Sequence, residues 1–355
     1  MRKLVIDRAA IKNNLTVIKD RAAGAAIYGV LTGDGQGVGT AALAQLLRDE
    51  GIGRFAVSEV SEAEALRQAG FVDEEILMLR ATTDREELER LVDLNVVCTV
   101  SSVDTGMALN ALAGNRSTVA EAHIQVDTGM GFGGFLVSEP EKLLLAYRSM
   151  PNVALSGVYT QLHAARPNDP QAKRQLEQFQ QALDAIHQAG FETGVVHAAG
   201  SFALLHGLAP ELDGGRAGSA ILGRCRRTRD DGLKTVGFGQ APLTEVRWLP
   251  KGHVLGVDRP VTLKKPTRVA VLPVGYQNGF GVTRPRETGL LAAIARWRKN
   301  NRRTVRLGSQ RARVLGGLGA SELILDVTDV KCSVGDLATF EIDPLFARGF
   351  QVEFR

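Results

Sequence analysis

The stretch VLTGDGQGVGTAAL, Val30 to Leu43, decides how the chain is read. An apolar run enters it, glycines stand at the alternate positions Gly33, Gly35, Gly37 and Gly39, and an Ala/Leu-rich helical pattern leaves it. Such a strand-to-helix turn is the local grammar of a loop that grips phosphate. It contains neither Gly-x-Gly-x-x-Gly nor Gly-Lys-Ser/Thr, so an open doubly wound sheet lacks its diagnostic dinucleotide loop here.

Outward from this turn the same unit repeats. Short apolar runs recur at 26–31, 54–59, 75–80, 96–101, 122–127, 154–161, 194–199 and near Gly214–Arg216. Helical patterns fit between them at 40–50, 61–69, 84–94, 104–113, 139–150, 170–189 and 202–208. The runs are apolar on both faces, as buried parallel strands require. Eight strands alternating with helices predict an α/β fold, a closed (β/α)8 barrel of the TIM type, over 1–231. An earlier strand, LVID, precedes a helix that Asp7 caps and that runs to Arg21. From 232 to 355 short β-type runs separated by Gly, Pro and Asp predict a second, all-β domain. The exception is RETGLLAAIARWRKNNRR, Arg286 to Arg303, a basic amphipathic helix that reads as a solvated face or as a surface for an acidic partner.

Composition excludes several classes. A net charge of +4 over 355 residues is a mild, dispersed excess that points away from nucleic acid. No apolar run is long enough to span a membrane, and the N-terminus lacks the apolar core of a signal peptide. Cys98, Cys225 and Cys332 are scattered, which predicts a reducing, cytoplasmic setting without disulfides. The six histidines form no ligand-spaced pattern, so no metal is expected.

Six motifs in order carry a resemblance. VSEVSEAEALRQAG, VDTGMGFGGF, HAAGSFALLH, DGGRAGSAILG, RVAVLPVGYQNGF and VLGGLGASELILDVTDV are each similar to a segment of alanine racemase, the fold-type III pyridoxal-phosphate (PLP) family. The resemblance implies a barrel followed by a β-domain, a head-to-tail homodimer, and a lysine and a partner-subunit tyrosine as the two bases. Laid on this sequence, the family's Val-Lys-Ala-Asn-Ala-Tyr-Gly-His-Gly segment covers Leu31 to Gly39. Its lysine falls on Thr32, its tyrosine on Gln36 and its histidine on Val38, and no lysine occurs between Ala22 and Gln45. The catalytic tyrosine falls on Val257 and a second tyrosine on Val261. An arginine falls on Phe132, a histidine on Gln161 with His163 two residues on, and a Met-Asp pair on Ala320 and Ser321. An imine requires a primary amine, which threonine does not offer.

Other positions match. Ser201, Gly218 and Ser219 fall on the family's phosphate contacts, Arg216 on the arginine facing the ring nitrogen, and His197 and Tyr276 on further site positions. The last phosphate contact, a C-terminal tyrosine, meets only Phe346 or Ala347. Each has a structural reading beside the functional one. Ser201 can cap the following helix, Gly218 can serve its turn, and Arg216 can be an ion-pair partner. His163 and His197 can be core histidines, and Asp34 and Asp127 turn caps. The resulting expectation is a racemase-like protein without PLP-lysine chemistry, binding a small anionic or phosphorylated ligand, with PLP held non-covalently if at all. Two alternatives stand beside it: a PLP-independent isomerase or lyase using Thr32, Asp34, Gln36, Gln161 and His163, and a structural or regulatory partner acting through a dimer surface.

Overall fold

The structure, a computed structural model, describes residues 1–163, 169–208, 211–225, 231–256, 260–283 and 303–355. The chain divides into two compact units: Ala9–Thr235, and Met1–Arg8 together with Val236–Arg355. The N-terminal strand β1 (Lys3–Ile6), which the sequence placed with the barrel, belongs to the second unit.

The first unit is the expected barrel. Its parallel strands are β2 (Ala26–Val30), β3 (Arg54–Val57), β4 (Glu75–Met78), β5 (Cys98–Val100), β6 (Ala120–Asp127), β8 (Val153–Tyr159), β9 (Val195–Ala199) and β10 (Gly214–Ala217), with a short β7 (Phe135–Leu136) paired to β6. They adjoin in the order β4-β3-β2-β10-β9-β8-β6-β5. The remaining seam is bridged just before β5, where Leu77 pairs with Val97, Met78 N–H donates to Val97 O at 2.9 Å and Val97 N–H to Ile76 O at 2.8 Å. Tyr28, Ala56, Leu77 and Val97 pack together inside, with Val30, Leu79 and Val195 against them. Around the strands run α1 (Arg8–Ala22), a short turn α2 (Thr32–Gly37), α3 (Thr40–Asp49), α4 (Val60–Gln68), α5 (Arg85–Asp93), α6 (Val103–Asn115), α7 (Pro140–Ser149), α8 (Pro170–Gln188) and α9 (Ser201–Leu205). Each crossover returns a helix to the outside of the sheet, which leaves the loops after the strands at one mouth.

The second unit is all β. Strands β11 (Phe238–Pro242), β12 (Glu245–Leu249), β15 (Thr267–Leu272), β16 (Thr304–Leu307), β17 (Gln310–Leu315), β18 (Leu323–Asp326), β19 (Leu337–Glu341) and β20 (Gln351–Phe354) join β1 in one nine-stranded sheet. Strands β13 (Val254–Leu255) and β14 (Val261–Thr262) form a separate hairpin. β1 sits here because it lies antiparallel to β11 and parallel to β20, pairings whose partners are more than two hundred residues away in the chain. Val257 and residues 286–302 of the expected basic helix lie outside the described residues. Among the described residues no helix is long and apolar enough to cross a membrane, and no cluster of His, Cys, Asp and Glu is arranged to hold a metal ion.

Candidate functional site

The glycine-rich turn after β2 is wound left-handed. Gly33, Asp34, Gly35 and Gln36 have φ of 74°, 54°, 60° and 57° in succession. Left-handed backbone costs a non-glycine residue about 1–2 kcal/mol, so Asp34 and Gln36 need compensation. They receive it from hydrogen bonds. Asp34 N–H donates to Glu62 Oε1 at 3.0 Å, and Asp34 Oδ1 accepts from Thr40 N–H at 3.0 Å and Thr40 Oγ1 at 3.1 Å, capping the start of α3. Gln36, buried, donates from Nε2 to Thr32 O at 3.0 Å and Thr32 Oγ1 at 3.1 Å. Glycine at Gly35 is obligatory on a second count: a Cβ there would stand 2.9 Å from Thr40 N. The glycines therefore build a tight turn. Asp34 is a cap, as its structural reading held, and Asp127 is another: its Oδ1 accepts from Gly129, Met130 and Gly131 N–H at 2.8–3.1 Å. Phe132, on that loop, is 81% exposed.

Ser201, Gly218 and Ser219 come together after β9 and β10. Ser201 does not cap α9; its Oγ accepts from Gly218 N–H at 3.0 Å and Ala220 N–H at 3.3 Å. With both lone pairs taken, its O–H proton is directed elsewhere, and it meets no acceptor among the described residues. Ser219 N–H and its hydroxyl likewise have no partner there. Gly218 lies against β2 and the left-handed turn, since a Cβ on it would be 3.0 Å from Val30 Cβ and 3.6 Å from Gln36 Nε2.

Arg216 occupies the centre. It is 4% exposed and forms no ion pair among the described residues, contrary to the ion-pair reading. Its NH1 donates to His197 Nδ1 at 2.5 Å, and its NH2 to Thr160 O at 2.6 Å and Gln161 Oε1 at 2.8 Å. All these acceptors are neutral, so burial lowers the guanidinium to about 10, still a cation. Its Nε–H meets no acceptor among the described residues.

The histidines are assigned by the same network. Arginine only donates, so His197 Nδ1 accepts and its proton sits on Nε2, 3.1 Å from His123 Nδ1. His197 is clamped between the rings of Tyr28, at 4.9 Å, and Tyr159, at 5.1 Å. Burial first, then the Arg216 charge, lowers His123 to about 4 and His197 well below its ordinary value. Both stay neutral in the fold while an unfolded histidine protonates near pH 6.5. Below that pH the unfolded state binds more protons, so stability present above pH 6.5 is lost as the pH falls toward 4. His123 alone contributes about 3 kcal/mol to that loss. Urea unfolding from pH 7 to pH 4.5 should show the decline, and His123→Gln should flatten it; an equal slope in both proteins counts against the assignment.

His163 stands apart: it is half-buried, and its backbone N–H donates to Gln175 Oε1 at 2.8 Å. In the β unit, Tyr276 is 52% exposed at the start of a short turn, and its N–H donates to Gly319 O at 3.1 Å. Val261 is exposed on β14, and Ala320 O accepts from Gln277 N–H at 3.1 Å. No lysine lies between Ala22 and Gln45, the stretch that holds the turn after β2. The barrel unit's lysines are Lys12 and Lys19 on α1, Lys142 on α7, Lys173 on α8, and the exposed Lys234, whose backbone is pinned to Asn14 of α1. Reading the sequence passed over His123, Tyr28, Tyr159 and Glu62. The first three are polar or aromatic interruptions inside apolar strands, and Glu62 is the third residue of a helix, a capping-box position.

A (β/α)8 barrel followed by an all-β unit is the architecture of the alanine-racemase-like proteins. The chain belongs to the alanine racemase family: the family's N-terminal domain matches residues 6–225 and its C-terminal domain residues 239–343. An alanine racemase of Desulfosudis oleivorans is 30% identical over 290 residues, 78% of this chain and 74% of that protein. The fold is that of the alanine racemase from a D-cycloserine-producing Streptomyces lavendulae, with a TM-score of 0.86 at 21% identity over 100% of this chain and 97% of the other. It is equally that of the Bartonella henselae alanine racemase with covalently bound pyridoxal phosphate, at a TM-score of 0.84 and 20% identity, over 100% and 99% of the two chains.

Proposed function

We propose that this chain holds a PLP-type ligand without a covalent bond and does not carry lysine-dependent racemisation. The observation that carries the reading is Arg216: a buried cation whose partners are neutral and whose Nε–H meets no acceptor among the described residues, in a barrel with no lysine between Ala22 and Gln45. A lone N–H donor suits a ring acceptor such as a pyridine nitrogen. Ser201 O–H and the Ser219 N–H and hydroxyl suit a phosphate, in the loops where barrels commonly bind one. These groups fit the two ends of PLP, and the amine that its covalent attachment requires is missing. When bound, PLP would supply electron withdrawal from a substrate carbon; the chain's part is to orient its ring and phosphate.

The alternative of a PLP-independent enzyme loses support from the hydrogen bonds, which commit Asp34 to capping, Gln36 to Thr32 and Gln161 to Arg216. The family's head-to-tail homodimer and a cytoplasmic setting accompany the proposal. It is tested by titrating the purified protein with PLP, treating with borohydride and measuring intact mass. PLP should bind, and gel filtration under denaturing conditions should remove it before and after reduction. A PLP-sized mass increment on a native lysine, or PLP-dependent alanine Cα–H exchange, would overturn it.

A further inference from the structure

The barrel strands have a second end, opposite the mouth. The ladder that joins β2 to β3 begins where Tyr28 pairs with Arg54. Below that pair no hydrogen bond joins Ile27 to Ile52. The gap is a cavity of about 520 Å³ between the end of α1 and the loop that enters β3. That volume is in the range that holds a small molecule. Gly24 and Gly51 are part of its wall, and a Cβ on either would meet nothing within 4 Å.

Two of the lining side chains are charged, Lys19 of α1 and Arg54 of β3, and none is acidic. The acids nearby are engaged elsewhere. The Glu50 carboxylate meets Lys12 Nζ at 3.1 Å, and among the described residues Lys19 Nζ donates only to the Glu50 carbonyl. Glu74 meets Arg48 at 3.1 Å. Glu75 divides its two oxygens: Oε1 accepts from Tyr28 Oη at 2.6 Å, and Oε2 meets Arg54 Nε at 3.1 Å. Tyr28 is fully buried, so it anchors Glu75, and Glu75 holds the guanidinium through Nε. The two terminal nitrogens of Arg54 meet no acceptor among the described residues.

We propose that this cavity binds a small molecule carrying two oxyanion groups, one on the Arg54 fork and the other on the Lys19 ammonium. A guanidinium fixed through Nε offers its terminal N–H groups to a carboxylate or a phosphate. Lysine is a compact point charge that takes either group. A single small ion would leave one of the two cations unpaired and most of the volume unfilled. The inference goes beyond the reading of the mouth and uses none of its residues.

The test is calorimetric titration of the full chain with succinate, phosphoglycolate and succinamide. Succinate carries two carboxylates, phosphoglycolate a carboxylate and a phosphate, and succinamide has the size of succinate without its charge. At least one of the acids should bind, and the tighter of the two tells carboxylate from phosphate. Lys19→Gln and Arg54→Lys should each weaken that binding by about tenfold, the worth of one charge-assisted hydrogen bond. Arg54→Lys keeps a cation beside Glu75, and an unchanged urea midpoint at pH 7 shows that its fold is intact. Ser201→Ala, at the mouth, should leave the affinity within about twofold. Binding of neither acid, equal binding of succinamide, or indifference to both cavity variants would overturn the proposal. Loss of binding in Ser201→Ala would put the anion at the mouth and overturn it as well.

Discussion

Thr32→Lys should give a covalent PLP adduct at residue 32 after borohydride, where the native chain gives none. Thr32 follows the end of β2 and opens the left-handed turn, half-buried beside Gln36. Its hydroxyl accepts from Gln36 Nε2 at 3.1 Å, but the same nitrogen also donates to Thr32 O at 3.0 Å, so the turn keeps that bond when the side chain changes. A lysine there would place a primary amine on the turn packed against Gly218, whose N–H meets Ser201 Oγ. Only an amine condenses with an aldehyde to a reducible product, so the difference is all or none. Peptide mapping distinguishes the outcomes. An adduct at residue 32 supports the placement of Thr32 on the family's lysine; an adduct at Lys12 or Lys234, or none, refutes it.

Glu62→Ala should destabilise the barrel by about 3 kcal/mol and lower PLP affinity with it. Glu62 is 6% exposed, and its carboxylate takes three backbone donors. Oε1 accepts from Asp34 N–H at 3.0 Å, and Oε2 from Ser58 N–H at 2.9 Å and Glu59 N–H at 3.2 Å. One side chain therefore ties the left-handed turn after β2 to the start of α4 after β3. Without it three amides lose their acceptor, and the unfavourable backbone of Asp34 and Gln36 loses a restraint worth keeping. Glu62→Gln, which retains one acceptor oxygen, should fall between the two. The measurement is the urea midpoint at pH 7 with the slope of the transition held constant. A change within about 0.5 kcal/mol would refute the role of Glu62 as the turn's anchor.

What could be read without coordinates was local. The eight barrel strands appear at the expected positions because a strand buried on both faces writes an apolar run into the sequence. Asp34 and Asp127 were readable as turn caps because an Asx cap acts on amides a few residues away. The family was readable because its motifs keep their order. The glycines were visible, but the left-handed winding was not, since Asp34 and Gln36 share it and nothing in their identity announces a positive φ.

The rest depended on neighbours far apart in the chain. LVID has the pattern of any short strand, and only pairing with β11 and β20 assigns it to the β unit. Ser201 has the sequence of a helix cap, and only the approach of Gly218 and Ala220 turns its oxygen away from α9. Arg216 invites an acidic partner on paper; in the barrel His197 of β9 and Thr160 and Gln161 after β8 surround it instead. The sequence by itself determined the order of elements, the family and the absence of a lysine after β2. The tertiary structure decided which donors remain free, because a donor is free only after every strand around it has supplied or withheld an acceptor.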